Sequence, residues 1–129
     1  MEIKDLSKQI IAFREKRDWE QFHKIKDLLL GLDIEVSELM ELFLWKSEDE
    51  IGEIPKEKIK HELADIFIYL TYIAEKFEIN LEEAVLEKIV LNGQKYPVSK
   101  SFGSHKKYNE LWFFNNHLKL TETTSCYNR

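Results

Sequence analysis

Apolar residues along the chain recur at intervals of three and four, and only four glycines and two prolines interrupt them. That period predicts helices rather than sheet. A first helix is expected over about residues 6–16, with Ile3, Leu6, Ile10 and Phe13 on one stripe and Asp5 as its cap. Its charged end, Arg14 to Asp18, leads into Trp19-Glu20-Gln21-Phe22-His23, which has no long period and reads as a turn or short helix. A second helix follows over about residues 26–45, its face drawn by Leu28, Leu29, Leu32, Val36, Leu39, Leu42 and Phe43, with Gly31 tolerated at a cost. Polar residues 47–53 with Gly52 and then Pro55 predict a loop. The third helix is expected over about residues 56–77, burying Leu63, Ile66, Phe67, Leu70, Ile73 and Ala74. Asn80 can cap a fourth helix, with Glu83 at the capping-box position, and that helix should run to about residue 92. Residues 93–108 lack an apolar period and predict a surface segment, and Leu111-Trp112-Phe113-Phe114 is a late apolar patch ahead of a frayed end over 121–129.

Length and composition narrow this picture. With 129 residues the expected organisation is one helical domain, residues 1–110, followed by a C-terminal extension, residues 111–129, partly docked or flexible. A helical protomer this small can need a partner to cover its apolar faces. A net charge of -5 argues against a nucleic-acid polymer as partner. No apolar run approaches the ~20 residues that span a bilayer, and Met1-Glu2-Ile3-Lys4-Asp5 is no signal peptide. Cys126 is the sole cysteine, which leaves neither an intrachain disulfide nor a zinc-finger ligand set and fits a reducing, cytoplasmic setting.

The candidate chemistry lies in two acidic pairs. Glu35 and Glu38 stand three residues apart on the second helix, and Glu62 and Asp65 repeat the spacing on the third, so each pair shares a helix face. Taken singly, such pairs are most often solvated surface charge. Asp65 differs, because the stretch that follows it to Ala74 is apolar and a desolvated carboxylate there needs a cation, a hydrogen-bond network or an outlet to water. Two antiparallel helices can bring the pairs face to face. Four carboxylates without a thiol or a spaced histidine pair suit Mg²⁺ or Mn²⁺ better than zinc, and an intramolecular charge network is the rival reading.

Glu35-Val-Ser-Glu38 followed after 23 residues by Glu62-Leu-Ala-Asp65 resembles the E-x-x-E and E-x-x-D motifs of the MazG-like nucleotide pyrophosphohydrolases. The runs Arg17 to His23, Glu38 to Lys46, Asp65 to Leu70 and Asn92-Gly93-Gln94-Lys95-Tyr96-Pro97 are similar to the dCTP-pyrophosphatase branch of that family, over roughly residues 13–111. The resemblance implies an all-α, four-helix bundle of the NTP pyrophosphatase type, assembled as a homodimer or homotetramer. It implies a hydrolase that converts a nucleoside triphosphate to the monophosphate and pyrophosphate, with Glu35, Glu38, Glu62 and Asp65 as metal ligands. Trp19, Trp45 and Tyr69 would line the base and sugar pocket, although aromatics at helical spacing more often form core. Asn92, Lys95 and Tyr96 would lie near sugar or phosphates. His23 either contacts substrate or braces the start of the second helix. Glu38 is the expected general base, with Glu35 and Glu41 as alternatives. The chain departs from that branch at Ile25 and Asp27, where relatives often carry Pro and Asn, and at Ile10, where some carry a polar residue. The other readings are a non-catalytic nucleotide-binding or protein-interaction module and a related dUTP or phosphoribosyl-ATP hydrolase.

Overall fold

The structure, a computed structural model, describes residues 1–111. Trp112, Phe113, Phe114, Cys126 and the expected frayed end lie outside the described residues, as does all of the expected C-terminal extension except Leu111. Every regular element among the described residues is helical: α1 (Ile3–Glu15), a 3₁₀ turn (Glu20–Phe22), α2 (Ile25–Glu41), α3 (Glu48–Ile51), α4 (Lys56–Lys76), α5 (Leu81–Lys95) and α6 (Val98–Ser101). The described residues divide into two compact units, one of residues 1–84 and one beginning at Val85, with α5 starting in the first and continuing into the second.

In the first unit α2 and α4 form the principal pair, and their contacts reveal the register. Leu28 shares the core with Tyr72, Gly31 lies against Tyr69, Glu35 faces Asp65, and Glu38 faces Glu62. The two numbers of every pair add to the same total, which requires antiparallel helices without slippage over the whole stretch. Gly31 is what lets the helices close up: a Cβ there would fall inside the van der Waals envelope of the Tyr69 ring. The core is Ile10, Leu28 and Tyr72, flanked by Ile11, Phe67, Ile68, Tyr69 and Ile73. α1 reaches α4 through a buried cation. Arg14 is 1% exposed and forks onto Glu75, Nη1 to Oε2 at 2.9 Å and Nη2 to Oε1 at 3.4 Å. Glu20 lies 3.8 Å from the same guanidinium, which also rests over the Tyr72 ring. A charge this buried is tolerated because it is paired and forked onto a carboxylate.

Several sequence expectations are corrected. α1 starts earlier than expected, at Ile3, with Glu2 at its N-cap and Asp5 inside its first turn rather than capping it. Its buried positions are Ile10 and Arg14, while Ile3, Leu6 and Phe13 are exposed, because a charged side chain with a partner takes the place of the apolar stripe. α2 ends at Glu41 instead of reaching Trp45. Residues 47–53 contain a short helix rather than only a loop, started by a capping box: Glu50 Oε2 accepts from Ser47 N at 2.7 Å and Ser47 Oγ accepts from Glu50 N. α4 and the Asn80 cap match the reading, with Asn80 Oδ1 accepting from Glu82 N and Glu83 N. α5, however, runs through Gly93 to Lys95, and α6 lies within the expected surface segment. Leu29, Leu63 and Leu70 are exposed rather than buried, and Val85, Leu86, Ile89, Val90 and Leu91 are exposed along α5. A 3.6-residue period marks an apolar face without saying whether the same chain covers it.

Candidate active site

The antiparallel register carries the two acidic pairs to one place. Glu35, Glu62 and Asp65 each offer a carboxylate oxygen within 4.8 Å of the other two, and all three side chains are half-buried. Glu38, one turn beyond Glu35 and more exposed, lies within hydrogen-bonding reach of both Glu35 and Glu62. Burial first, then the neighbouring Asp65 and Glu38, raises the Glu35 carboxyl above the usual glutamate range. Desolvation followed by Glu38 and Asp65 raises Glu62 in the same direction.

The described residues do not neutralise this cluster. Lys60 and His61 pair with Glu57, one turn earlier on α4, and no salt bridge among the described residues reaches Glu35, Glu38, Glu62 or Asp65. Glu62 Oε2 is buried without a hydrogen-bond partner, and a buried acceptor left unsatisfied is costly. Converging hard oxygen donors, an orphaned one among them, fit a divalent cation of the Mg²⁺ type.

Tyr69, one turn beyond Asp65, borders the carboxylates on one side and an adjoining cavity on the other. The cavity encloses about 290 Å³ and is lined by Trp19, Phe22, His23, Asp27, Leu28 and Tyr69. Trp19 stands at the N-cap of the 3₁₀ turn, edge-on to Phe13 at 5.8 Å, and Arg17 lies 3.6 Å over the Phe13 ring, so the tryptophan is braced from behind. The His23 ring rests on Tyr72 at 4.6 Å, and its buried Nδ1 has no hydrogen-bond partner. Burial, reinforced by the charges of Arg14 and Lys76, lowers the His23 pKa and keeps the imidazole neutral. Lys24 at the N-cap of α2 makes no side-chain cap bond. Burial, with the charges of Glu35, Asp65 and Glu38, raises the Tyr69 phenol, which therefore stays a hydrogen-bond donor.

Among the residues singled out from sequence, Glu35, Glu62 and Asp65 meet, Glu38 adjoins them, and Trp19, His23 and Tyr69 share the neighbouring cavity. Trp45 is not among the lining residues; it is 92% exposed just beyond α2, in the left-handed backbone region at φ 62°. Glu41 lines a separate hollow with Leu42, Lys46, Glu50, Glu53, Ile54, Pro55 and Lys58. Asn92, Lys95 and Tyr96 belong to the second unit, where Tyr96 meets Tyr108 edge-on and Lys95 lies over the Tyr108 ring. Sequence reading passed over Phe22 and Asp27 as cavity walls, Gly31 as the seat of Tyr69, and Arg14 and Glu75 as the support behind His23. A glycine one turn before Glu35 on an otherwise apolar helix was the available signal for the close approach.

With this geometry in hand, comparison with known proteins is informative. Residues 30–111 match the MazG-like family. The chain is 44% identical over 114 residues to dCTP pyrophosphatase 1 of Mus musculus, covering 84% of this chain and 67% of that protein. It is 40% identical to dCTP pyrophosphatase 1 of Homo sapiens over the same shares. Among solved structures, it is similar to a pyrophosphatase from Archaeoglobus fulgidus with a TM-score of 0.68 and 38% identity, over 74% of this chain and 92% of that one.

Proposed function

Since the chain belongs to the MazG-like family and is thereby a nucleoside triphosphate pyrophosphatase, we propose that it converts a pyrimidine deoxynucleoside triphosphate, dCTP or a close relative, to the monophosphate and pyrophosphate with Mg²⁺ or Mn²⁺ as cofactor. The observation that carries this reading is the convergence of Glu35, Glu62 and Asp65 within 4.8 Å beside an aromatic cavity that shares Tyr69 with them. Identities of 40–44% to two dCTP pyrophosphatases support the choice of base.

Glu35, Glu38, Glu62 and Asp65 would hold the cation, which when bound would offset the charge of the triphosphate and of its transition state. The remaining work falls to protein groups. Trp19 and Tyr69 stack on the base, and His23 supplies a polar contact at the cavity. Trp45 is a bulky residue held at positive φ in solvent, a strained and exposed state that suits a side chain closing over a ligand. By the family resemblance, Asn92, Lys95 and Tyr96 are the residues for sugar and phosphates, the ammonium of Lys95 matching their charge. Glu38 takes the proton of the attacking water as the α–β anhydride bond breaks and pyrophosphate leaves as a unit. Its exposure and its reach to both Glu35 and Glu62 favour it for this role, and Glu41, in a different hollow, is disfavoured.

The exposed apolar residues of α2, of α4 and of α5 support a homodimer or homotetramer, because large apolar side chains left exposed on a helical protomer favour association with a partner. No helix among the described residues is long and apolar enough to cross a membrane. A cytoplasmic site of action accords with a nucleotide substrate. The test is a panel of deoxynucleoside triphosphates with and without Mg²⁺, with the products identified. Monophosphate plus pyrophosphate from dCTP, dependent on the cation, is the expected result; no cleavage of any triphosphate would leave a binding module.

A further inference from the structure

Trp19 lines the cavity, yet it is 42% exposed and the Phe13 it meets edge-on is 47% exposed, so burial alone does not hold the indole in one orientation. The backbone does. At the end of α1, Asp18 N donates to Glu15 O at 3.0 Å and Trp19 N reaches back to Arg14 O at 3.3 Å, the paired bonds of a Schellman stop. Such a stop places a left-handed residue between the helix and the departing chain, and Asp18 stands there at φ 52°. An apolar contact from the next residue back to the last helical turn accompanies the motif, and here it is Trp19 on Phe13. Arg17 closes over both rings, its guanidinium 3.6 Å from the Phe13 ring centre and 5.8 Å from that of Trp19, while its Nη1 donates to Phe13 O at 2.9 Å.

Two anchors keep this stop in place. The accepting carbonyl on α1 belongs to Arg14, which is buried and forked onto Glu75. On the other side, Gln21 Nε2 donates to Asp18 O at 3.0 Å and to Asp18 Oδ2 at 2.9 Å, fastening the left-handed residue to the 3₁₀ turn. Positive φ is costly for a residue with a Cβ and least so for Asn and Asp, and the bonds from Gln21 offset part of that cost. Asp18 is not among the residues that line the cavity, so it acts on a ligand through Trp19. We propose that Asp18 is a positioning residue for nucleotide binding: its left-handed backbone ends α1 so that Trp19 is already set as a wall of the cavity before the base arrives. A wall fixed in advance need not be ordered on binding, which favours affinity without involving the acidic cluster on α2 and α4. The inference rests on the nucleotide-binding reading above and adds the residue that sets the stacking surface.

The experiment is a double-mutant cycle between Asp18 and Trp19, read as Kd for dCMP by calorimetry and kcat for dCTP, both with Mg²⁺ present. Trp19→Ala removes the stacking face and should weaken dCMP binding about tenfold or more. Asp18→Val, whose β-branched side chain rejects positive φ, should weaken it comparably and leave kcat within about threefold. Asp18→Gly adopts the angle freely and should bind within about threefold of the wild type. Because Asp18 acts through Trp19, the double variant Asp18→Val/Trp19→Ala should bind no more than about twofold worse than Trp19→Ala alone. Circular dichroism checks the fold, and Asp18→Ala, a milder strain, replaces Asp18→Val should the latter not fold. Additive losses in the double variant, or wild-type affinity in Asp18→Val, would overturn the positioning role. Coupled losses of dCMP binding in a chain that cleaves no triphosphate would uphold that role and overturn the hydrolase reading instead.

Discussion

Gly31 and Tyr69 show how a single residue serves both fold and site. The aromatic ring occupies the space a side chain would need, so Gly31→Ala must push Tyr69 or separate α2 from α4. Overpacking of this kind costs about 1–3 kcal/mol, measurable as a lower urea midpoint, and the displaced Tyr69 should raise KM for the nucleotide. Asp65→Asn should behave oppositely, leaving a folded helical protein while cation-dependent turnover falls about 100-fold or more; full activity would remove Asp65 from the site. Trp45 offers a third contrast. Its positive φ costs a residue with a Cβ about 1–2 kcal/mol relative to glycine, so Trp45→Gly should unfold at higher urea and yet bind nucleotide more weakly. A variant that loses stability would show that the tryptophan is packing rather than waiting for ligand.

At the level of elements, α1 is fastened to α4 by the Arg14 and Glu75 fork. The cost of removing Glu75 is discounted because that carboxylate is 40% exposed and Glu20 and Glu15 stand near the guanidinium. Glu75→Ala should destabilise by about 1–3 kcal/mol, read from chemical denaturation. Since Arg14 lies over Tyr72 and Tyr72 under His23, the loss should also loosen the cavity lined by Trp19, His23 and Tyr69. The α2 and α4 pair was legible from sequence because two strong apolar periods flank a polar linker with Pro55. α3 and the extension of α5 were not, since four-residue helices have too few positions to show a period and residues 93–95 carry no apolar period that would continue α5. Asp5 and the α1 stripe misled for a related reason: the pattern of apolar letters gives no weight to an arginine that is buried with a partner.

For the whole molecule the uncompensated acidic cluster couples stability to pH and to cation. Glu35 and Glu62 have raised pKa values in the fold, so the folded chain holds their protons more tightly than the unfolded chain does. Their favourable contribution is complete below the ordinary glutamate range and is lost as pH rises through the raised values. Accordingly, in the absence of divalent cation, Glu35→Gln should raise Tm by a few degrees at pH 7.5 and leave it unchanged near pH 4, where the native side chain is itself protonated. Added Mg²⁺ should raise the wild-type Tm at pH 7.5 and much less at pH 4, since protons compete for the same oxygens. A cation response independent of pH would mean that the ion binds elsewhere.

The sequence by itself determined the helical class, the α4 boundaries and the identity of the acidic residues, because helical periodicity and carboxylate spacing are local properties written in consecutive positions. Tertiary structure alone decided that Glu35 faces Asp65 and Glu38 faces Glu62, that Gly31 seats Tyr69, and that Trp19, His23 and Asp27 share one cavity. Those facts depend on the register between two helices separated by a linker, and register is set by the packing of side chains far apart in the chain, which no local pattern encodes.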